Sequence, residues 1–221
     1  MGKLKSLDKQ YVHVFNSGVE RRVLFNSQQD FDRFEGYLYL LNAVDADRAA
    51  NYFVRGREGS IFESARGEQL VAIGAYSFIP HDFHLLLTPL VHGGVGKFMQ
   101  RLQTAYTMYF NRKYQHEGRL FRSSYLSEDI QSDEHLKSVF SYIHLHPAQL
   151  FDHAWEEKGI DNLLLLSYKA LQYRYSSANE RRTGKKVITN LSAYPKAFFK
   201  VNSPEDFSDQ WLKYRSHFLK R

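Results

Sequence analysis

The sequence predicts an α+β fold in which helices pack on an antiparallel sheet. Two observations carry this. Short runs rich in β-branched and aromatic residues are interspersed with stretches whose apolar residues recur at helical spacing, and the elements follow in the order strand, helix, strand, strand, helix, strand, helix. A hydrophobic fraction of 43% over 221 residues is enough to bury a core of that kind.

Gln10–Asn16 (QYVHVFN) alternates as a half-buried strand does, and Gly18 permits a turn behind it. Ser27 followed by Asp30 has the pattern of a helix start, and Phe31, Phe34, Leu38 and Leu41 continue at helical spacing to Asn42. Asp45 to Gly67 is polar, carries Gly56, Gly59 and Gly67, and reads as a loop with one short element around Tyr52–Val54. Gln69–Phe78 and Asp82–Val91 read as adjacent antiparallel strands, because Pro80 disfavours continuous pairing between them.

After Gly93 and Gly94, Val95, Phe98, Met99, Leu102, Tyr106, Tyr109 and Phe110 mark one face of a long helix reaching about Tyr114. Arg119–Ile130 (RLFRSSYLSEDI) is predicted as a further strand. Ser132 can cap the next helix, with Asp133 and Glu134 at its positive end. Leu136, Val139, Phe140 and Ile143 form its apolar stripe and Pro147 ends it, so Tyr142 and His146 are expected in its last turn, off the stripe and facing a cleft. Beyond Leu150 follow a helical stretch, the basic segment Asn179–Lys186 and an aromatic terminal helix with Phe207, Trp211, Tyr214 and Phe218. Residues 1–150 are expected to form the functional domain and residues 151–221 a C-terminal helical extension.

Cysteine is absent, which excludes disulfides, zinc–thiolate sites and thiol nucleophiles. Any metal must then sit on His, Asp, Glu, Asn or water, which points to hard or borderline divalent ions. No apolar run reaches membrane-spanning length, and the opening MGKLKSLDKQ lacks the apolar stretch and cleavage site of a secretory signal. A soluble, cytoplasmic protein with no membrane partner is expected. Against 24 Asp and Glu stand 30 Lys and Arg, leaving +6 at pH 7, and the 15% aromatic content offers stacking surfaces for unpaired bases. Both are compatible with a nucleic-acid partner.

Asp82, Phe83 and His84 lie on a predicted strand, where alternate side chains share a face, so Asp82 and His84 point together and Phe83 enters the opposite layer. Such a pair can grip a divalent ion; it can equally be a strand-edge acid and imidazole facing water. Tyr142 and His146, four apart on a helix, add a hydroxyl nucleophile and a third ligand. With a metal on Asp82, His84 and His146, the Tyr142 hydroxyl could attack a phosphodiester and form a phosphotyrosine. No phosphate-cradling Gly-rich loop with Lys is present.

These residues fall within ordered blocks that resemble the HUH single-tyrosine transposases, most closely the REP-associated tyrosine transposase branch. The resemblance spans Lys9–Leu150 and rests on YVHVFNSG (Tyr11–Gly18), AYSFIPHDFHLLLTP (Ala75–Pro89), KFMQRLQTAYTMYFNRKY (Lys97–Tyr114), GRLFRSSY (Gly118–Tyr125) and SYIHLHP (Ser141–Pro147). It implies a ferredoxin-like or RRM-like sheet with helices packed on one face, and Mg²⁺ or Mn²⁺ as cofactor. It also implies recognition of single-stranded or hairpin DNA, and DNA recombination or transposition through a 5′-phosphotyrosine with a free 3′-hydroxyl. A homodimer is compatible with it.

The sequence departs from the family pattern at marked positions. Asp82 stands where the first of two histidines is usual, and His146 follows Tyr142 where Asn or Gln is usual. Asn16–Ser17–Gly18 and Arg122–Ser123–Ser124 replace N-R-G and Q-G-R. A cleavage-deficient module that binds hairpin DNA or RNA is therefore the alternative. For the DNA backbone the candidates are Arg21, Arg22, Lys97, Arg101, Arg112, Lys113, Arg119 and Arg122, each of which could instead be a solvated surface charge.

Overall fold

In the computed structural model, residues 10–45, 58–63, 65, 67–157, 160–184, 187–196 and 203–218 are described. The strands are β1 (Val12–Ser17), β2 (Val71–Ile79), β3 (Asp82–Pro89) and β4 (Leu126–Asp129). The helices are α1 (Gln28–Leu40), α2 (Gly94–Tyr114), α3 (Asp133–Leu145), α4 (Ile160–Leu171), α5 (Ser177–Thr183) and α6 (Pro204–Phe218). The four strands form an antiparallel sheet in the order β2-β3-β1-β4, so the β1-α1-β2-β3-α2-β4 portion has the ferredoxin-like arrangement. The short element anticipated near Tyr52–Val54 lies outside the described residues. Among the described residues, no helix is long and apolar enough to cross a membrane.

Helix ends follow their local chemistry. Ser27 and Asp30 form a reciprocal capping box at α1, and the Ser132 hydroxyl accepts from the His135 N–H at α3. The predicted long strand over Arg119–Ile130 is real only at Leu126–Asp129. The preceding residues instead cross the end of β1: the N–H of Val19 donates to the carbonyl of Leu120, that of Arg122 to Ser17, and the Asn16 amide to Ser123. Those bonds occupy the groups that a longer ladder would need.

Helices cover both faces of the sheet. On the first face, α1 and α2 pack against Val12, Val14, Phe78, Phe83, Leu85 and Leu87, with Phe34, Phe78, Phe83 and Tyr106 interlocked at its centre. Each such ring withdrawn from water stabilises by roughly 1.5–3 kcal/mol. On the second face, α3 packs on Ala72, Ala75 and Leu86, and α4, α5 and α6 join it through Trp155, Leu163, Phe207 and Trp211. The residues beyond 150 thus share a core with α3. An irregularity in β2 at Gly74 lets the Tyr194 ring in: a Cβ there would meet that ring at 2.4 Å, and the Tyr194 hydroxyl donates to the carbonyls of Ala72 and Leu86.

α1 and α2 are pinned by Asp30, whose buried carboxylate accepts from Lys113, Tyr109 and Tyr114 and from the N–H groups of Asn26 and Ser27. Burial pushes this carboxyl up, but the hydrogen bonds from Lys113, Tyr114 and Tyr109 and the Lys113 charge outweigh it and hold it below the usual carboxylate range. A depressed folded-state pKa contributes stability above the unfolded value of about 4, which is lost as pH falls through the folded value. Asp30→Ala should destabilise the fold by about 3 kcal/mol in urea titrations at pH 7, because it orphans several donors at once. Asp30→Asn should show a shallower loss of thermal stability than the parent chain as pH drops below about 4.

Candidate metal and phosphoryl-transfer site

The second face of the sheet is interrupted by polar side chains where β1, β2 and β3 meet α3. The strand alternation sends Phe83, Leu85 and Leu87 into the first core and turns Asp82 and His84 toward α3. The same alternation places His13 and Phe15 of β1 against the His84 ring, and β2 contributes Ser77. From α3 comes Tyr142. His146 follows the last helical residue and opens a short 3-10 turn, His146–Leu150, with Pro147 at its start. Tyr142 and His146 are both buried rather than standing in an open cleft.

Asp82, His84 and His146 each offer a ligand atom, and these atoms lie within 4.8 Å of one another. Asp82 Oδ1 and His146 Nε2 are 2.9 Å apart, close enough for an ion pair, yet both are buried without a hydrogen bond of good geometry. A carboxylate oxygen and an imidazole nitrogen directed into one small volume fit a shared cation, and two imidazoles with a carboxylate are a donor set that divalent metals take. Burial pushes the Asp82 carboxyl up, but the facing charge of His146, with those of His84 and His81, outweighs it and holds the group below the usual carboxylate range.

Two further side chains touch this cluster. His13 Nε2 lies 3.0 Å from His84 Nδ1, and Ser77 Oγ lies 3.2 Å from His146 Nδ1. Such contacts on one ring nitrogen set tautomer and ring orientation and leave the other nitrogen for a ligand. Neither His13 nor Ser77 stood out in the sequence. The available signal was an imidazole on the Tyr11, His13, Phe15 side of β1, whose meaning depends on β1 pairing with β3.

The Tyr142 ring touches His84 edge-on at 5.1 Å between centroids and lies 5.9 Å from the ring of His146. On its other sides stand Trp155 and Trp211, at 5.6 and 5.7 Å. Burial raises the phenol well above its ordinary pKa, and the nearby charges of Glu156 and Asp82 add to this, so the hydroxyl holds its proton at neutral pH.

The basic candidates separate into groups. Ser17 pairs with Asp82, and the chain around Gly18–Arg22 and Leu120–Arg122 is bonded to that end of the sheet, which gathers Arg21, Arg22, Arg119 and Arg122 there. Arg22 is bonded to His116, and Arg119 to the carbonyl of Arg122. Arg21, Arg119 and Arg122 are exposed. Arg112 is exposed near the C-terminal end of α2, while Lys113 is tied to Asp30. Lys97 is exposed near the start of α2, by the far end of β3, and Arg101 donates to the carbonyls of Ala43 and Val44. An open groove of about 470 Å³ runs between α2 and the loop carrying Arg119, lined by Thr104, Thr107, Met108, Phe121 and Ser124 among others.

No protein-family model matches the chain, and no curated protein matches it. Among solved structures, a REP-associated tyrosine transposase bound to a REP hairpin is similar with a TM-score of 0.47 and 11% identity. The alignment covers 89% of this chain and 98% of that one.

Isothermal titration with Mn²⁺ should reveal a single site. His84→Ala and His146→Ala should each remove most of its affinity, and His13→Ala should weaken it by about 10–100-fold through the loss of ring orientation alone.

Proposed function

We propose that the chain binds single-stranded or hairpin DNA and cleaves and rejoins it as a tyrosine transposase-like strand-transferase, with Tyr142 as nucleophile. The observation that carries this reading is the convergence of three ligand atoms, from Asp82, His84 and His146, within 4.8 Å beside a tyrosine whose ring touches two of those residues. The sequence blocks resembling HUH single-tyrosine transposases supply these same residues. A divalent cation held there, Mg²⁺ or Mn²⁺, supplies Lewis-acid polarisation of a phosphodiester oxygen.

The residues divide the remaining work. Asp82, His84 and His146 form the cation's cradle, and His13 and Ser77 keep the two imidazoles turned toward it. The Tyr142 oxygen attacks phosphorus as its O–H bond breaks, an O–P bond forms and the P–O3′ bond breaks. The products are a 5′-phosphotyrosine and a free 3′-hydroxyl. Rejoining reverses the step without a nucleotide cofactor. Arg21, Arg22, Arg119 and Arg122, at the Asp82 end of the sheet, would hold the strand by its phosphates.

A binding module without cleavage is the second reading. The observation that favours it is the burial of Tyr142, which is only 7% exposed.

Incubation with single-stranded hairpin oligonucleotides and Mn²⁺ should yield a covalent protein–DNA adduct that Tyr142→Phe abolishes while leaving Mn²⁺ affinity unchanged. DNA binding without any adduct would select the second reading, and salt-insensitive binding would remove both. Arg119→Ala combined with Arg122→Ala should weaken binding across sequences and flatten the salt dependence by about one unit of log–log slope for each phosphate left without its cationic side chain.

A further inference from the structure

We propose that the groove between α2 and the loop carrying Arg119 is a pocket for one unpaired nucleobase, held by its edge on the Gln103 side-chain amide. The inference rests on the single-stranded DNA reading of the chain and adds to it the residue that tells an unpaired base from a paired one. Gln103 lines the groove beside Thr104, Thr107, Met108, Arg119 and Ser124. It is only 8% exposed, yet its amide nitrogen has no hydrogen-bond partner among the described residues. Tyr106, three residues on, by contrast gives its hydroxyl to the Leu24 carbonyl. A buried amide left unpaired lowers stability, and a leucine would occupy the same helix face without that loss. The position suits a ligand that brings the missing acceptor.

The opposite wall is built before any ligand arrives. The Asn111 amide of α2 donates to the Gly118 carbonyl, the Val19 N–H to that of Leu120, and the Asn16 amide to that of Ser123. The Arg119 guanidinium is itself held by the Arg122 carbonyl. Arg122 in turn gives its N–H to Ser17, which pairs with Asp82, so the wall is tied to the end of the sheet that carries the metal cluster.

An unpaired base carries a hydrogen-bond donor beside an acceptor on its open edge, and a carboxamide carries the same two groups side by side. In a duplex the Watson–Crick edge is already taken by the partner strand, so the pocket accepts a base that has left the stack. Met108, 68% exposed, and the Arg119 guanidinium offer an apolar and a planar cationic surface for its faces.

The test measures binding of the full chain to a thymidine dodecamer, to the same strand with N3-methylthymine throughout, and to an abasic strand of equal length. Wild type should bind the methylated strand about 10-fold more weakly than the plain one, because the methyl group blocks the edge and leaves faces and phosphates in place. Gln103→Leu should lose a similar factor on the plain strand, become indifferent to methylation and match wild type on the abasic strand, whose charge is unchanged. Its thermal stability should equal or exceed that of wild type, since an unpaired buried amide is removed. Equal binding of the two thymine strands by wild type overturns the proposal and leaves the phosphate contacts standing. An equal loss on the abasic strand in Gln103→Leu overturns it too, because the amide would then not be reading a base. Should Gln103→Leu fail to fold, the two thymine strands on wild type decide alone. Absence of binding to every single strand removes the proposal together with the DNA reading beneath it.

Discussion

Asp82 Oδ1 and His146 Nε2 face each other at 2.9 Å between a strand and the end of a helix, and the layout of the second layer follows from that contact. A half-buried carboxylate beside buried imidazoles is costly unless partners or a cation satisfy it. The contact therefore requires α3 to end close above β3, and Pro147 at the start of the 3-10 turn stops the helix at that level. It also requires the far nitrogens of both imidazoles to be engaged, which His13 and Ser77 do from the two strands flanking β3. One polar contact thus draws on β1, β2, β3 and α3 together.

The two faces of the sheet carry different burdens. The first is apolar throughout its centre, and its interlocked aromatic residues account for the fold's cohesion. The second has small residues, Ala72 and Ala75, beneath α3 and polar residues beside them, so its packing is thinner over the sheet. The helices after residue 150 offset this from above. Trp155 and Trp211 enclose Tyr142 on the sides that the histidines leave, and Phe207 stacks on His144. His144, bonded through its two ring nitrogens to the Phe140 carbonyl and the Ser177 hydroxyl, shows the fate of an imidazole away from the acidic cluster: burial first, and Arg181 second, pull it down to about 3, so it stays neutral.

Periodicity made the layout of the fold legible, because strands and helices with one buried face betray it by spacing. The alternation at Asp82, Phe83 and His84 separated the layers for the same reason. The strand read over Arg119–Ile130 was too long because propensity cannot see that Asn16, Ser17 and Val19 claim the backbone partners of Leu120–Ser123. The placement of α3, α4, α5 and α6 on the second face was equally invisible, since an apolar stripe does not say which surface covers it. His13 could not be found by spacing, for it joins the site through strand register. Lys113 and Arg101 look like free cations in the sequence, yet the structure ties them to Asp30 and to the carbonyls of Ala43 and Val44.

The disposition of polarity across the sheet also bears on why such a cluster exists. Buried ionic groups are weak contributors to stability, and well-packed apolar residues of similar volume would often hold the same layers together at least as firmly. The first face does this without any comparable cluster at its centre. A fold able to build an aromatic core on one side of β3 has no structural need for a carboxylate and two imidazoles on the other. Asp82 Oδ1 and His146 Nε2 approach to 2.9 Å, a separation that calls for a proton or a cation between them. Their supports act on ring orientation, a property that matters to a ligand far more than to packing. The second face is thus arranged around a polar cluster suited to a cation, between the first face below and the C-terminal helices above.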